Sequence, residues 1–197
     1  SMSELQGSAP LRAFVTGFGA LLDQSLDESA IIADGRRLLA DLIRDDTWLD
    51  PAFTKPHPQH YQQYLLHCDS SLRFCVVAFV WGPGQATPIH DHTVWGLVGV
   101  LRGMERVQSY VLEGPTPVAT GPLQDLLPGD VETVSPRLGD IHQVSNGFSD
   151  QVSISIHVYG GNIGAIPRSA YHDGHVQEFV SGYANHYLPN IWDQAGS

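Results

Sequence analysis

The stretch that decides the fold is GQATPIHDHTVWGLVGVLRG, residues 84–103. It begins at Gly84, ends at Gly103, and carries His90 and His92 with one residue between them. Side chains two positions apart on a β-strand point to the same face. The two imidazoles could therefore bind one metal ion, although a His-X-His pair on a strand is often only a polar surface pair.

A second stretch, GDVETVSPRLGDIHQVSN at residues 129–146, supplies a third histidine. His142 follows the turn-forming residues Gly139 and Asp140 and leads into an apolar strand. It fits the remaining ligand position, although taken alone it could be an ordinary histidine. Imidazole binds iron, zinc, copper and nickel alike, so these ligands do not fix the metal.

The spacing of glycines and histidines in residues 84–103 resembles the first cupin motif. Residues 129–146 resemble the second, with small insertions around Pro136. The resemblance implies a mainly β fold, a cupin double-stranded β-helix or jelly-roll barrel, with the histidines in the barrel mouth. Most metal cupins of this pattern carry a glutamate ligand where Gly96 stands. A set of three histidines without a carboxylate is similar to that of the thiol dioxygenases, the cysteine dioxygenase family.

Periodicity divides the rest of the chain into two regions. Residues 10–45 have apolar residues at helical spacing, and Asp27 with Glu28 favours a helix start. From Tyr61 onward, short apolar runs alternate with turn residues, which indicates strands. We expect helices packed against the barrel, and strands at 61–67, 72–81, 87–91, 95–101, 105–112, 130–134, 141–145, 151–159 and 164–171.

Ser155, His157 and Tyr159 alternate with apolar residues in the stretch SISIHVY. On a strand they share one face. They could form the polar outer face of an edge strand. In thiol dioxygenases, however, the same Ser-X-His-X-Tyr pattern forms a hydrogen-bond relay that ends near the iron. The resemblance therefore implies that Tyr159 donates its hydroxyl to substrate or oxygen, that His157 orients Tyr159, and that Ser155 orients His157.

The resemblance is closest to the bacterial 3-mercaptopropionate dioxygenases. Mammalian-type cysteine dioxygenases crosslink the relay tyrosine to a cysteine, and Gly96 occupies the matching position, so no thioether is expected. They also have Ser-Pro where Gly160-Gly161 stands. Tyr61-Gln62-Gln63-Tyr64 resembles a segment whose third residue is a carboxylate-binding arginine, here Gln63. Arg168 is a candidate replacement for that cation, or else a surface charge at a turn.

Bulk properties exclude several classes of function. A net charge of −11 argues against nucleic acid or an anionic membrane as partner. No apolar run approaches the roughly 20 residues of a membrane helix. The start of the chain has no basic region followed by an apolar one, so no secretion signal is expected. Cys68 and Cys75 do not make a disulfide framework, which favours a cytoplasmic location.

These observations predict a single cupin domain over residues 1–197, with a helical layer at 1–55, a barrel core at 60–171 and a C-terminal extension at 172–197. The resemblance implies an Fe(II) enzyme that oxidises a small thiol with O2 to the sulfinic acid, preferring 3-mercaptopropionate. Two alternatives stay open: a cysteine dioxygenase forming cysteine sulfinate, and a non-catalytic metal-binding cupin that acts as a sensor. The sequence leaves the oligomeric state open.

Overall fold

Two helices precede the strands in the computed structural model, which describes residues 7–24 and 27–192. Helix α1 spans Ala9–Asp23 and helix α2 spans Glu28–Leu42. The side chain of Asp27 accepts a hydrogen bond of 2.9 Å from the backbone N–H of Ala30, which caps α2 as predicted. No helix within the described ranges is both long enough and apolar enough to cross a membrane.

Eleven strands follow in the described part of the chain. They are β1 (Gln62–Cys68), β2 (Cys75–Trp81), β3 (Ile89–His90), β4 (Gly96–Arg102), β5 (Glu105–Glu113), β6 (Thr116–Leu126), β7 (Val131–Val134), β8 (Ile141–Asn146), β9 (Ser153–Tyr159), β10 (Arg168–His172) and β11 (His175–Phe179). Short 3-10 helices lie at Pro51–Phe53 and Ile163–Ala165.

The strands form two antiparallel sheets. One has the order β1-β2-β9-β4-β7, and the other has the order β11-β10-β3-β8-β5-β6. Apolar side chains from both sheets meet in one interior cluster, which includes Trp81, Val100, Val107 and Val144. The two sheets therefore enclose a filled barrel, and the strand order is that of a double-stranded β-helix.

The helices cover the outer face of the five-stranded sheet. Phe18 and Leu39, both fully buried, pack in one cluster with the outward-facing side chains of β9, which are Ile154, Ile156 and Val158. Alternate residues of β9 therefore pack in two different places, one set against the helices and the other in the barrel interior. The prediction of a mainly β fold with N-terminal helices packed on the barrel is confirmed.

The predicted strands at 72–81 and 151–159 begin later in the structure, at Cys75 and Ser153, and larger differences occur elsewhere. Strand β6 was not predicted, because most of its residues are exposed and it includes turn-forming residues such as Pro117, Gly121 and Pro122. The predicted strand at 87–91 is a strand only at Ile89–His90. The predicted strand at 164–171 begins instead at Arg168, after the short helix and Pro167, which cannot donate to a sheet.

The C-terminal segment, unassigned from sequence, supplies β11 and then returns along the barrel. The Ala184 N–H donates a bond of 2.7 Å to the carbonyl of Gln63. The side chain of Asn185 bonds the backbone N–H and carbonyl of Leu65. Ile191 is buried, and its carbonyl accepts a bond from Arg12 of α1. The tail therefore fixes the start of β1, where Gln63 lies.

Candidate metal centre

Three histidines converge at one end of the barrel. His90 ends β3 and lies directly opposite His142 of β8 in the strand register, while His92 follows β3 by two residues. Their possible ligand atoms all lie within 4.8 Å of one another. The three residues are 7%, 0% and 2% exposed for His90, His92 and His142 respectively. The alternative of a polar surface pair is therefore wrong, and the three form a possible metal site.

The second ring nitrogen of each histidine is held by an acceptor. Nδ1–H of His90 donates to the Pro88 carbonyl at 2.8 Å, and Nδ1–H of His92 donates to the Asp140 carbonyl at 2.9 Å. Nδ1–H of His142 donates to a carboxylate oxygen of Glu132 at 2.7 Å. Because these partners only accept, each ring carries a proton on Nδ1, which leaves Nε2 as the atom that could bind a metal.

The donor set fits a divalent transition metal. Burial, reinforced by the neighbouring imidazoles, holds the pKa of His90 and of His92 well below the usual value, which keeps both rings in the neutral form that binds metals. Nε2 of His92 is buried and has no hydrogen-bond partner. A buried nitrogen lone pair without a partner is costly unless something coordinates it.

Gly96 stands where the cupin pattern would place a carboxylate ligand. A Cβ atom at this position would lie 2.7 Å from Cδ1 and Cε1 of Tyr159 and 2.9 Å from Cγ2 of Val134. While Tyr159 keeps its place, no side chain fits there. The centre therefore consists of three imidazole nitrogens, and the nearby carboxylates of Glu132 and Asp140 face Nδ1 of His142 and Nδ1 of His92 instead.

The Ser155, His157 and Tyr159 side chains form a buried hydrogen-bond chain. Ser155 Oγ lies 2.7 Å from Nε2 of His157, and Nδ1 of His157 lies 2.7 Å from the Tyr159 hydroxyl. Strand β9, which carries them, is the central strand of its sheet and is buried along its whole length. The alternative of a polar face on an edge strand is therefore wrong.

Packing and burial fix the electrostatic state of this chain. The Phe79 ring stacks on His157 with centroids 3.7 Å apart and an interplanar angle of 13°. Burial raises the pKa of Tyr159 and lowers the pKa of His157, so the phenol keeps its proton and the imidazole stays neutral. The Tyr159 ring stacks 5.7 Å from that of His92, which places the end of the chain at the metal site.

A small cavity joins the metal site to a buried cation. Its volume is about 20 Å³, and its walls include His90, His142, Tyr159, Gln63 and Arg168. Arg168 is 5% exposed, so the alternative of a surface charge at a turn is wrong. Its Nη1 donates weakly to the Asp91 carbonyl at 3.3 Å, while its Nε–H has no partner.

The surroundings of Arg168 and Gln63 leave both with unused polar atoms. The Arg168 guanidinium lies 4.8 Å from the centre of the Phe179 ring on β11. Arg168 makes no ion pair with any carboxylate of the described residues. Oε1 of Gln63 is also buried without a partner. The cavity wall therefore presents a free cation and a free amide beside the histidines.

Two acidic residues support the centre and were not predicted from the sequence. Asp140 accepts hydrogen bonds from the backbone N–H groups of His92 at 3.1 Å and Thr93 at 2.9 Å. These bonds hold Thr93 in a left-handed conformation, with φ of 64°, which is unusual for a β-branched residue. Asp140 could have been found as a turn residue beside His142. Glu132 has no local signal, because only the sheet brings it to His142.

No family model matches the chain. Among solved structures, a Klebsiella pneumoniae protein with a double-stranded β-helix domain is 18% identical over 62% of this chain and 93% of its own, with a TM-score of 0.48. A cupin superfamily protein of Desulfitobacterium hafniense is 14% identical over 55% of this chain and 84% of its own, with a TM-score of 0.43. An oxalate oxidase bound to glycolate is 17% identical over 61% of this chain and 63% of its own, with a TM-score of 0.44.

The fold is that of a cupin. Its own strand order and barrel interior carry this statement, and similarities at such low identity concern the fold alone. Within this cupin, the described residues that could hold a metal are His90, His92 and His142. What the metal does is a separate question, which depends on the side chains around it.

Proposed function

We propose that this cupin is a non-haem Fe(II)-dependent thiol dioxygenase of the cysteine dioxygenase family. It adds both atoms of O2 to the sulfur of a small carboxylate thiol, so that R–SH and O2 give the sulfinic acid R–SO2H. The preferred substrate is 3-mercaptopropionate. The observation that carries the proposal is a cavity whose wall combines two of the metal-site histidines, Tyr159 and the cation of Arg168, which has no carboxylate partner among the described residues.

Arg168 supports a carboxylate as the distal group of the substrate. A buried cation without an anionic partner is unfavourable, and a carboxylate can satisfy a guanidinium with two parallel hydrogen bonds. The unpaired Nε–H of Arg168 is one of the donors that such a contact uses. The Gln63 amide on the same wall can add a neutral hydrogen bond.

The same wall supports 3-mercaptopropionate over cysteine. Among the described residues, no aspartate or glutamate lines the cavity, so the ammonium group of cysteine finds no anionic partner there. It would also lie in the same small space as the Arg168 cation. Desolvating an unpaired ammonium is costly, and 3-mercaptopropionate, which lacks that group, avoids this cost.

The chain's own residues position the reactants and manage the proton. His90, His92 and His142 would hold the metal, and Fe(II), when bound, would supply the redox chemistry that joins oxygen to sulfur. Tyr159 keeps its hydroxyl hydrogen because burial raises its pKa, so it can donate a hydrogen bond into the cavity. His157 and Ser155 orient that hydroxyl, and the apolar side chains around them exclude water.

Iron content together with O2 uptake tests this proposal. The iron-loaded protein is assayed with 3-mercaptopropionate, cysteine and cysteamine, and sulfinate is quantified against O2 consumed. One sulfinate per O2 with 3-mercaptopropionate as the best substrate is expected. Better turnover of cysteine would point to the cysteine dioxygenase alternative. Tight metal binding without O2 uptake from any of these thiols would overturn the enzyme proposal and favour a non-catalytic metal cupin.

A further inference from the structure

Glu105 is an acidic side chain in the apolar interior that the proposed mechanism does not use. It begins β5, is 0% exposed, and neither of its carboxyl oxygens makes a hydrogen bond. Its register partners are Leu126 on β6 and Asn146 on β8. Leu126 is apolar, and the Asn146 amide is already bonded to other groups. These groups are the carbonyls of Trp81, Gly82 and Gln151, the Phe148 N–H and the Ser153 hydroxyl.

The Ser155 hydroxyl is the polar group that acts on Glu105. Burial raises the pKa of Glu105 to about 8, and the nearby Ser155 hydroxyl opposes that rise. The other ionisable group that contributes is Glu132 on β7, whose charge raises the pKa further. On the neighbouring surface, Arg106 is paired with Asp125. Glu105 therefore lies at the Ser155 end of the hydrogen-bond chain, away from Tyr159, and is uncharged at neutral pH.

The hydrogen bonds of Ser155 can be counted completely. Its oxygen accepts from Nε1–H of Trp81 at 3.2 Å and lies 2.7 Å from Nε2 of His157. A hydroxyl has one hydrogen and two lone pairs. After the Trp81 bond, one lone pair and one hydrogen remain for Glu105 and His157. Neither Glu105 oxygen makes a hydrogen bond in the structure, so this bond to Ser155 is part of the inference: once Glu105 bonds Ser155, one of these two neighbours donates to Ser155 and the other accepts from it.

Two arrangements of the chain satisfy this count. If Glu105 is protonated and donates to Ser155, then Ser155 donates to Nε2 of His157, Nδ1–H of His157 donates to the Tyr159 oxygen, and the Tyr159 hydrogen is free to point into the cavity. If Glu105 is ionised, it accepts from Ser155, and every bond reverses. His157 then carries its proton on Nε2, and Nδ1 accepts the Tyr159 hydrogen.

We propose that Glu105 is a positioning residue whose protonation sets the direction of the hydrogen-bond chain, and with it the direction in which Tyr159 presents its hydrogen. Protonated Glu105 directs the Tyr159 hydrogen toward the histidine cluster, and ionised Glu105 withdraws it. The catalytic consequence rests on the proposed thiol dioxygenase function, whereas the reversal itself depends only on the side chains of the barrel.

The tautomer of His157 reports the direction of the chain without any turnover. The metal-free protein with 15N-labelled histidine is titrated by NMR between about pH 6 and pH 10, and the His157 signals are assigned by their loss in His157→Gln. The expected result is a proton on Nδ1 at the acid end and on Nε2 at the alkaline end. Glu105→Gln, which is similar in shape and cannot ionise, should abolish the pH dependence.

Glu113→Gln is the matched control, because Glu113 lies at the exposed end of the same strand, and this variant should keep the wild-type titration. A His157 tautomer that is constant with pH in the wild type overturns the inference. So does a change that persists in Glu105→Gln.

Activity of the iron-loaded protein separates this inference from the proposed function. Wild-type O2 uptake with 3-mercaptopropionate should decline as the pH rises through about 8, relative to Glu105→Gln assayed in the same buffers. Parallel pH profiles of the two proteins overturn the catalytic role of Glu105 and leave the dioxygenase intact. If the His157 tautomer reverses with pH in a protein that does not oxidise thiols, the reversal is supported and the proposed function is overturned.

Discussion

Gly96 and Tyr159 are register partners on neighbouring strands, and the Tyr159 ring lies directly over the glycine. A Cβ atom added to Gly96 would come within 2.7 Å of two carbons of that ring. The Tyr159 ring can therefore pack against the backbone of Gly96 and stack with the His92 ring only because residue 96 has no side chain. The absence of a carboxylate ligand and the position of the tyrosine have one structural cause.

Gly96→Ala should displace the Tyr159 ring and destabilise the fold by about 1–3 kcal/mol, the usual cost of overpacking a filled interior. Activity should fall with it, because the hydroxyl leaves its bond to His157. Urea unfolding and O2 uptake check both effects. Gly17→Ala is the control: its Cβ would meet Leu38 at an ordinary 3.6 Å, so stability should be unchanged or slightly higher. Wild-type stability and activity in Gly96→Ala would contradict the steric argument.

Metal binding should depend strongly on the three histidines and more weakly on Glu132. Active protein should hold about one iron per chain, and His90→Ala, His92→Ala or His142→Ala should each lose it. Glu132→Ala should keep the site but weaken metal binding about 10–100-fold, since Nδ1–H of His142 loses its acceptor. Competition titration with a chelator measures this. Asp125→Ala, which removes an exposed carboxylate paired with Arg106, should bind like wild type. Full iron and activity in any one of the three histidine variants would refute the ligand set.

Tyr159→Phe should fold and hold iron but oxidise thiols more slowly or with less sulfinate per O2. The change removes the hydroxyl that bonds Nδ1 of His157 and leaves the ring in its stack. Intact mass of the wild type should show no loss of two hydrogens, because Gly96 offers no sulfur for a crosslink. Wild-type kinetics and product yield in Tyr159→Phe would mean that the hydroxyl has no role in turnover.

Substrate choice should follow the charges of the cavity. We expect kcat/KM for 3-mercaptopropionate to exceed that for cysteine by at least about tenfold, roughly 1.4 kcal/mol. Arg168→Ala should raise KM for both acids and change cysteamine little, because cysteamine has no carboxylate for the guanidinium to bind. Steady-state O2 uptake with the three thiols tests this. An equal loss for all three thiols would show that Arg168 acts on the fold rather than on the carboxylate.

Glu105 should make stability depend on pH in a defined direction. Its pKa in the folded protein is about 8, against an ordinary value of 4.5, so the folded state holds a proton that the unfolded state has released. Its contribution is therefore fully present below pH 4.5 and is lost as the pH rises to about 8. Over this pH range, the free energy of unfolding of the wild type should fall by on the order of a few kcal/mol relative to that of Glu105→Gln. Urea unfolding of both metal-free proteins measures this difference. A constant difference between the two proteins would contradict the buried acid.

The sequence predicted those parts of the molecule that have a local pattern. His90, His92 and His142 lie in two short motifs, and the alternation of Ser155, His157 and Tyr159 is visible within one strand. Two acidic residues near these groups could not be found in this way. Glu132 reaches His142 through the folding of the barrel, and Glu105 is buried in its interior. The positions of these acids depend on tertiary packing, which periodicity does not report.

Strand β6 shows the same limit in the fold. Its pairing with β5 depends on backbone bonds more than on an apolar face, so its polar residues gave no strand signal. The short helix at Ile163–Ala165, by contrast, was hidden inside an apolar run that resembles a strand. Where hydrophobic patterning and backbone geometry disagree, the sequence misleads in both directions.

All seven residues of β9 are buried, and they alternate between the helix-facing core and the site. A substitution at any position of β9 would therefore disturb one of the two cores or the site. Variation in reactivity would have to arise elsewhere, at cavity positions such as Gln63 and Phe179, whose strands lie at the sheet edges. The architecture therefore separates a strand that is packed on both faces from cavity positions on edge strands, where a substitution would disturb neither core.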